Sequence, residues 1–429
     1  MNIPHNPLLP TRYYLPDTEA RVFDGRLYLY GTYERCDEDN WFSIKEMHVF
    51  STEDFINFTD HGIAFSADGV TWNKAGNVWA PDCVYYRGKY YLFYCCPDDG
   101  QGGGCGCGVA VGDTPYGPFN DLGKVLGTDA IDPAVLIDGD NAYIYWGQND
   151  DVKASRLTED LTAVIPETVC QPLTSGEHYY HEGISIRKIN GRYHLTYTEK
   201  KRHGKRATAQ GYAVSDYPTH GFVYRGTVID NFGSDKMSWN NHGSIECFKG
   251  EWYVFYHRST ESSSAKRQLC CEPIALTEDG YIAEVEPSSS GPSSSIAATH
   301  EIPAYIAATH SGSLAVMRDE ASPYGISLRG ISAQDSALFR YIRFKSENTV
   351  EINYTMRESE FKRIDYYQIP RAEIYFNGKY YATVEMHPGK GIVSSAALEK
   401  AIFGTGELVI KFFGQKIDAD LYSLRFSVK

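Results

Sequence analysis

The sequence predicts an all-β protein: a five-bladed β-propeller over residues 1–290, followed by a β-sandwich over residues 291–429. Three observations carry this. An aromatic hairpin pattern recurs five times. A polar residue stands at nearly the same offset before each hairpin turn. Near residue 287 the pattern stops and shorter alternating runs without its period take over.

The five hairpins are Val22-Phe-Asp-Gly-Arg-Leu-Tyr-Leu-Tyr30, Tyr85 to Tyr94, Leu136 to Tyr145, Arg187 to Tyr197, and Cys247 to Tyr256. Their turn glycines, Gly25, Gly88, Gly139, Gly191 and Gly250, are 63, 51, 52 and 59 residues apart. A period near fifty with aromatic hairpins predicts four-stranded blades around an axis. A closed ring leaves few sheet edges exposed. In the clearest copy, Ile184, Ile186 and Ile189 lead into Asn190-Gly191, and Tyr193, Leu195 and Tyr197 then alternate with polar residues. Asn-Gly suits such a turn because both positions need positive φ. A second repeat supports the blade count: Gly108-Val-Ala-Val-Gly-Asp-Thr-Pro-Tyr-Gly-Pro-Phe119 resembles Gly211 to Phe222.

Composition narrows the function. Aromatic residues make up 14% of the chain, with 33 tyrosines, which favours strands and supplies flat faces for stacking on sugars. A net charge of -14 argues against nucleic acid or an anionic membrane as partner. No apolar run is long enough to span a bilayer. The N-terminus lacks the basic and apolar regions of a signal peptide, so the expected location is the cytoplasm, with the 10 cysteines reduced.

Residues 11–50 give the first blade, with a charged loop from Glu34 to Asn40. The next begins at Gly76-Asn-Val-Trp-Ala-Pro-Asp82, where Trp79 reads either as a core residue between blades or as the floor of a sugar pocket. Residues 95–108 hold four cysteines among glycines. Their spacing does not match paired zinc knuckles, so a flexible loop at the propeller mouth is expected. Ile131-Asp-Pro opens the third blade, Glu182 the fourth and Asn241-His242 the fifth. Pro287 to Ser295 reads as a linker by composition. The strands expected beyond it, such as Tyr341-Ile-Arg-Phe and Ala372-Glu-Ile-Tyr-Phe, suit a sandwich.

Asp17, Asp82, Asp132, Glu182 and His242 precede their turn glycines by 8, 6, 7, 9 and 8 residues. Equivalent ends of innermost strands converge on a propeller's axis, so the five should share one pocket. Gathering like charges there is costly, which points to acid/base work or metal binding. For any one aspartate before a strand, a turn or cap role is the plainer reading. Two carboxyl groups across a pocket can cleave a glycosidic bond: one protonates the leaving oxygen while the other activates water or attacks.

These segments resemble glycoside hydrolase family 43, five-bladed inverting enzymes acting mostly on arabinose and xylose linkages. The resemblance covers roughly residues 10–290. It lies in Leu15-Pro-Asp-Thr-Glu-Ala-Arg-Val-Phe-Asp-Gly-Arg-Leu-Tyr-Leu-Tyr-Gly-Thr32, Trp79-Ala-Pro-Asp82, Ile131-Asp-Pro-Ala-Val, His181-Glu-Gly-Ile-Ser-Ile and Asn241-His-Gly-Ser-Ile. It implies Asp17 as general base, Glu182 as general acid and Asp132 as the residue that orients the acid. It further implies Trp79 as a sugar platform, Arg267 as a sugar contact, and His242 as an axial residue near substrate or a calcium ion. Asp82 matches its motif, with a structural role equally open. Proline stands before Asp17, where the commoner pattern has it after.

The expected substrates are arabinose- or xylose-containing oligosaccharides, cleaved with inversion from a chain end. No cofactor is expected beyond calcium on the axis. The C-terminal part more loosely resembles carbohydrate-binding module family 6. Two rivals stand beside this reading. A retaining fructosidase-like propeller is disfavoured by Ile131 where Arg-Asp-Pro is expected. A non-catalytic glycan-binding propeller is disfavoured by the presence of all three acids.

Overall fold

The computed structural model describes residues 3–73, 76–97, 104–204, 206–358, 369–415 and 417–429. Five antiparallel sheets follow one another in sequence. Their innermost strands are Glu19–Phe23, Trp79–Tyr86, Ala134–Asp138, Tyr180–Ile189 and Ser244–Phe248. Each pairs with the next strand through a tight turn. Asp24-Gly25, Arg87-Gly88, Asn190-Gly191 and Lys249-Gly250 all have positive φ at both positions, the geometry that suits the twist of the flanking strands.

Among the described residues the third and fifth sheets have three strands rather than the expected four. Other segments cover their edges. Cys170 bridges to Ala154 and Val164 to Leu157 in the third blade. In the fifth, the N-terminal segment lies along the outer strand, with Leu8 N–H donating to the Leu269 carbonyl at 2.9 Å. An edge closed by a short segment needs no full strand.

One apolar cluster fills each of the five blade interfaces. Tyr30 and Phe65 meet Leu92 and Tyr94 between blades one and two. Phe93 meets Trp146 at the next interface, and Tyr145 meets Ile186 at the third. Tyr212 meets Val254 at the fourth. Leu29 and Phe50 meet Phe255 where blade five closes on blade one. Alternation along the hairpins decides this: residues of one parity face the preceding blade, those of the other the following one.

Ion pairs fill the floor of the axis. Arg21 binds Asp82 at 2.8 Å and Glu19 at 3.4 Å, while Arg187 binds Glu19 at 2.7 Å and Glu246 at 3.0 Å. Asp82 also accepts the Val135 N–H at 2.7 Å. The network therefore ties blades one to five together around the axis.

The C-terminal region is a ten-stranded β-structure built on two long bent strands, Ser336–Met356 and Gly389–Phe413. Their first contact pairs 336–344 with 404–411, and their second pairs 349–356 with 389–397. Arg371–Phe376 extends the first part and Ala419–Ser427 the second. Phe344 packs edge-on against Phe376 at 4.8 Å and Phe426 at 4.9 Å, inside one continuous core.

The expected linker is instead a packed seam. Ser288, Ser289 and Ser290 are buried. Ser288 donates its N–H and its hydroxyl to Glu272, each at 2.7 Å, and the Ser289 hydroxyl accepts the Arg340 N–H at 3.2 Å. Serine serves a flexible tether or a hydrogen-bonded seam equally well, because its side chain is small and polar. Composition alone does not distinguish the two. Among the described residues no helix is long and apolar enough to cross a membrane.

Candidate active site

At the end of the axis opposite the turn glycines, a cavity of about 290 Å³ opens above the ion-pair floor. Asp17, Trp79, Asp132, Glu182, His242 and Arg267 all line it. The six residues singled out in the sequence thus meet in one pocket.

Backbone geometry aims the carboxylates. Asp17 and Asp132 have φ of 54° and 60°, in the left-handed region, just before their innermost strands. Aspartate tolerates this region better than most residues, and such strain gathers at functional sites. Glu182 sits where the fourth blade's first strand slips register against its neighbour. That bulge turns on Gly183, with φ of 67°. A Cβ at position 183 would stand 2.7 Å from the His242 ring, so glycine is required there on two counts. The Gly183 N–H donates to Asp132 at 3.0 Å.

The three acids have different surroundings. Arg267 grips Asp17 with two nitrogens, at 2.9 and 3.3 Å, and is itself held by Glu34 at 2.8 Å. Burial works to raise the Asp17 pKa, but the Arg267 guanidinium and then His242 outweigh it, and the carboxyl is held below its usual range. Asp132 behaves oppositely: burial, then the nearby Glu182 and Asp17, push it well above the usual range. Glu182 accepts a hydrogen bond from Gln148 Nε2 at 2.5 Å on Oε2. His242 Nδ1 lies 3.8 Å from Asp17 and 3.9 Å from Asp132, and burial depresses its pKa, so the ring is neutral near pH 7.

Asp82 does not join this group. It is spent on Arg21 and the Val135 N–H in the floor, which settles its open role as structural. The calcium expectation at His242 also meets a poor donor set. The two carboxylates nearest its ring are engaged by Arg267 and by the Gly183 N–H. Among the described residues no group of three or more His, Cys, Asp or Glu side chains is arranged to hold a metal ion. Cys95, Cys96, Cys105 and Cys107 lie on paired strands of the second blade rather than in a loop, with Cys95 opposite Cys107. Residues 98–103, which the sequence analysis placed in the same glycine-rich segment, lie outside the described residues.

The pocket also contains residues the sequence reading missed: Trp41, Phe42, Gln148, His181, Trp239 and Asn240. Two signals were available. His181 adjoins Glu182, and Trp239-Asn240 leads into the Asn241-His242 motif. Trp41 and Phe42 follow the charged loop of blade one, where nothing marks them as facing the axis. Trp79 Nε1–H donates to the Trp41 carbonyl at 3.0 Å, and Phe42 stands edge-on to Trp79 at 5.8 Å. Aromatic walls thus flank an acidic floor. Such a site can bind a sugar ring by its apolar face while a base and an acid work on its anomeric carbon.

Comparison with known proteins agrees with this geometry. The family model of glycosyl hydrolases family 43 matches residues 4–282. A "Xylosidase/arabinosidase" of Thermoclostridium stercorarium is 32% identical over 354 residues, covering 70% of this chain and 71% of its own. The crystal structure of CoXyl43, a β-xylosidase/α-arabinofuranosidase from a compost microbial metagenome, aligns at 27% identity with a TM-score of 0.58. It covers 67% of this chain and 98% of its own. An arabinoxylan arabinofuranohydrolase from Bacillus subtilis, at 23% identity and a TM-score of 0.56, covers 99% of this chain and 97% of its own, so it shares the fold of both regions. With the family model spanning residues 4–282, well over half of its length, the chain belongs to glycosyl hydrolases family 43.

Proposed function

We propose that this glycoside hydrolase releases L-arabinofuranose or D-xylose from the ends of plant-derived oligosaccharides, with inversion at the anomeric carbon. One observation carries the reading: a carboxylate held ionised by Arg267 shares a single buried pocket with Glu182 and Asp132. Relatives named for both sugars support the substrate class.

Asp17 is the general base. It takes a proton from a water molecule as the water oxygen bonds to the anomeric carbon. Glu182 is the general acid and gives its proton to the leaving oxygen as the glycosidic bond breaks. Asp132 positions this acid, since the Gly183 N–H that it accepts belongs to the peptide following Glu182. Trp79 is the platform for the sugar, and Arg267 and His242 face it from the pocket floor. The ion-pair network closes the axis beneath, which favours entry of a chain end over passage of a long chain. No step passes through a metal. A cytoplasmic setting belongs to the proposal, because adjacent cysteines such as Cys95-Cys96 and Cys270-Cys271 are awkward disulfide partners.

The test is hydrolysis of para-nitrophenyl α-L-arabinofuranoside and β-D-xyloside, with product anomers followed by NMR and Glu182→Ala as control. Activity on either substrate, absent in the control and giving the inverted anomer first, supports the reading. Binding of oligosaccharide without product would favour the glycan-binding rival.

A further inference from the structure

The C-terminal region touches the propeller at a point that leads directly to the catalytic base. The last blade's long hairpin, Glu251–Thr260 and Ser263–Ile274, has its tip at Glu261-Ser262. Both tip residues have positive φ, 56° and 53°, although neither is glycine or asparagine. A C-terminal strand holds this strained tip: the Glu261 N–H donates to the Val316 carbonyl at 2.7 Å, and Arg318 pairs with the Glu261 carboxylate at 3.5 Å.

From the tip, contacts run in two directions toward the pocket. The first passes through Tyr14, which is fully buried three residues before Asp17. Its hydroxyl donates to Glu261. Its ring lies 5.2 Å from the Arg318 guanidinium and 5.5 Å from the Lys266 ammonium. Its carbonyl accepts the Glu34 N–H at 3.1 Å, and the Glu34 side chain holds Arg267, which grips Asp17. The second passes through the far side of the hairpin. Register slips beside Arg267, so a bulge aims that side chain. The Ser264 carbonyl accepts the Trp41 indole N–H at 3.1 Å, and Lys266 Nζ donates to the Arg35 and Glu38 carbonyls. These contacts fix the loop that brings Trp41 and Phe42 to the pocket rim. Phe42 remains 61% exposed at that rim, which these contacts and the Trp79 indole N–H on the Trp41 carbonyl hold in place.

From this we infer that the C-terminal region is part of the catalytic unit, and that Arg318 is a positioning residue for Asp17, acting through Glu261 and Tyr14. The inference rests on Asp17 being the general base. The structure gives two routes from one guanidinium outside the propeller to the base's support and to the aromatic rim. Small displacements of a reacting group cost rate far more than they cost binding.

The experiment uses the full chain, with Arg318→Ala, Arg318→Lys and Tyr14→Phe beside Asp17→Asn. Tyr14→Phe keeps the buried ring and loses only the hydroxyl that reaches Glu261, so it serves if Arg318→Ala is insoluble. The expected result is a fall in kcat of about tenfold for Arg318→Ala, with KM within about twofold. The acid limb of the pH profile should move to higher pH, because a loosened Arg267 no longer holds Asp17 ionised. Arg318→Lys, which keeps a cation over Tyr14, should recover most of the loss. If folded Arg318→Ala and Tyr14→Phe both keep wild-type kcat and an unmoved acid limb while Asp17→Asn is inactive, the positioning role is overturned and the catalytic reading stands. If Asp17→Asn keeps full activity, the catalytic reading itself fails.

Discussion

The two ends of the propeller axis are built from the same kinds of residue and do opposite things. At the floor, Glu19, Asp82 and Glu246 meet Arg21 and Arg187 at 2.7–3.4 Å. At the mouth, Asp17, Glu34, Asp132 and Glu182 share one arginine, Arg267, and the neutral ring of His242. Burial does not separate them, for Asp82 and Asp132 are both buried side chains on or beside innermost strands. Pairing does. Every floor carboxylate meets a guanidinium, and even there burial raises Glu19 to about 7, whereas at the mouth Arg267 meets only Asp17 and Glu34 and the remaining acids stand beside other carboxylates. Asp132, pushed up by burial and its acidic neighbours, is one of these. In the proposed mechanism, a deficit of cations at the mouth is what makes that end reactive.

The largest way to break this contrast is to remove the acid. Glu182→Gln should lower kcat on an unactivated oligosaccharide about a thousandfold, since general acid catalysis contributes roughly 10²–10⁴. The thermal midpoint should stay near wild type, because no cation loses its partner. Steady-state kinetics beside a melting curve checks both halves, and a wild-type kcat would remove Glu182 from the mechanism. Asp82→Ala is the matching change at the floor. It leaves Arg21 buried with Glu19 as its remaining ion-pair partner among the described residues, which should cost about 3–5 kcal/mol of stability. Activity per folded molecule should survive. Chemical denaturation with an active-site titration reads the two separately. A loss of kcat without loss of stability would place Asp82 with the mouth.

The sequence revealed the mouth more readily than the floor, for a physical reason. Asp17, Asp132, Glu182 and His242 stand at repeated offsets from turn glycines, and a repeat brings equivalent positions together around an axis. Asp82 stands only six residues before its turn glycine, nearer the turn than the other four, and its side chain meets Arg21 and the Val135 N–H in the floor. The partners that decide its role, Arg21 and Val135, lie in other blades where no local pattern points to them. Glu34 and Gln148 were hidden for the same reason: each is defined by what it touches across a blade interface. The serine-rich seam at 288–290 shows the limit of composition, since the same letters spell a tether when the partner Glu272 is out of sight.

The contrast sharpens at Arg267, the one arginine among the described residues that line the pocket. Replacing it with lysine keeps the charge but loses the two-nitrogen grip on Asp17. Asp17 is held below its usual range by this guanidinium, so the base stays ionised, and active, until the pH falls through that lowered value. Weakening the grip raises the Asp17 pKa, so activity should begin to fail at a higher pH on the acid side. The alkaline limb should hardly move. A kcat/KM profile across pH decides it, and an acid limb that stays in place would show that Arg267 serves the sugar and not the base.

The smallest expected effect tests whether the mouth recognises sugar by stacking as well as by charge. Trp79 lines the pocket, its indole N–H is fixed on the Trp41 carbonyl, and Phe42 stands edge-on behind it. Its ring is thus held as a rigid face before any ligand arrives, and little conformational entropy is lost when a pyranose or furanose lies on it. An aromatic contact of this kind contributes about 0.5–1.5 kcal/mol beyond burial, so Trp79→Ala should lower kcat/KM about fivefold to tenfold. The loss should fall on KM if stacking is equal in the ground and transition states. Trp79→Phe should recover part of it, because a smaller ring still offers a face. Equal losses in Trp79→Phe and Trp79→Ala would show that the indole N–H anchor to Trp41, rather than the face, is what the pocket needs.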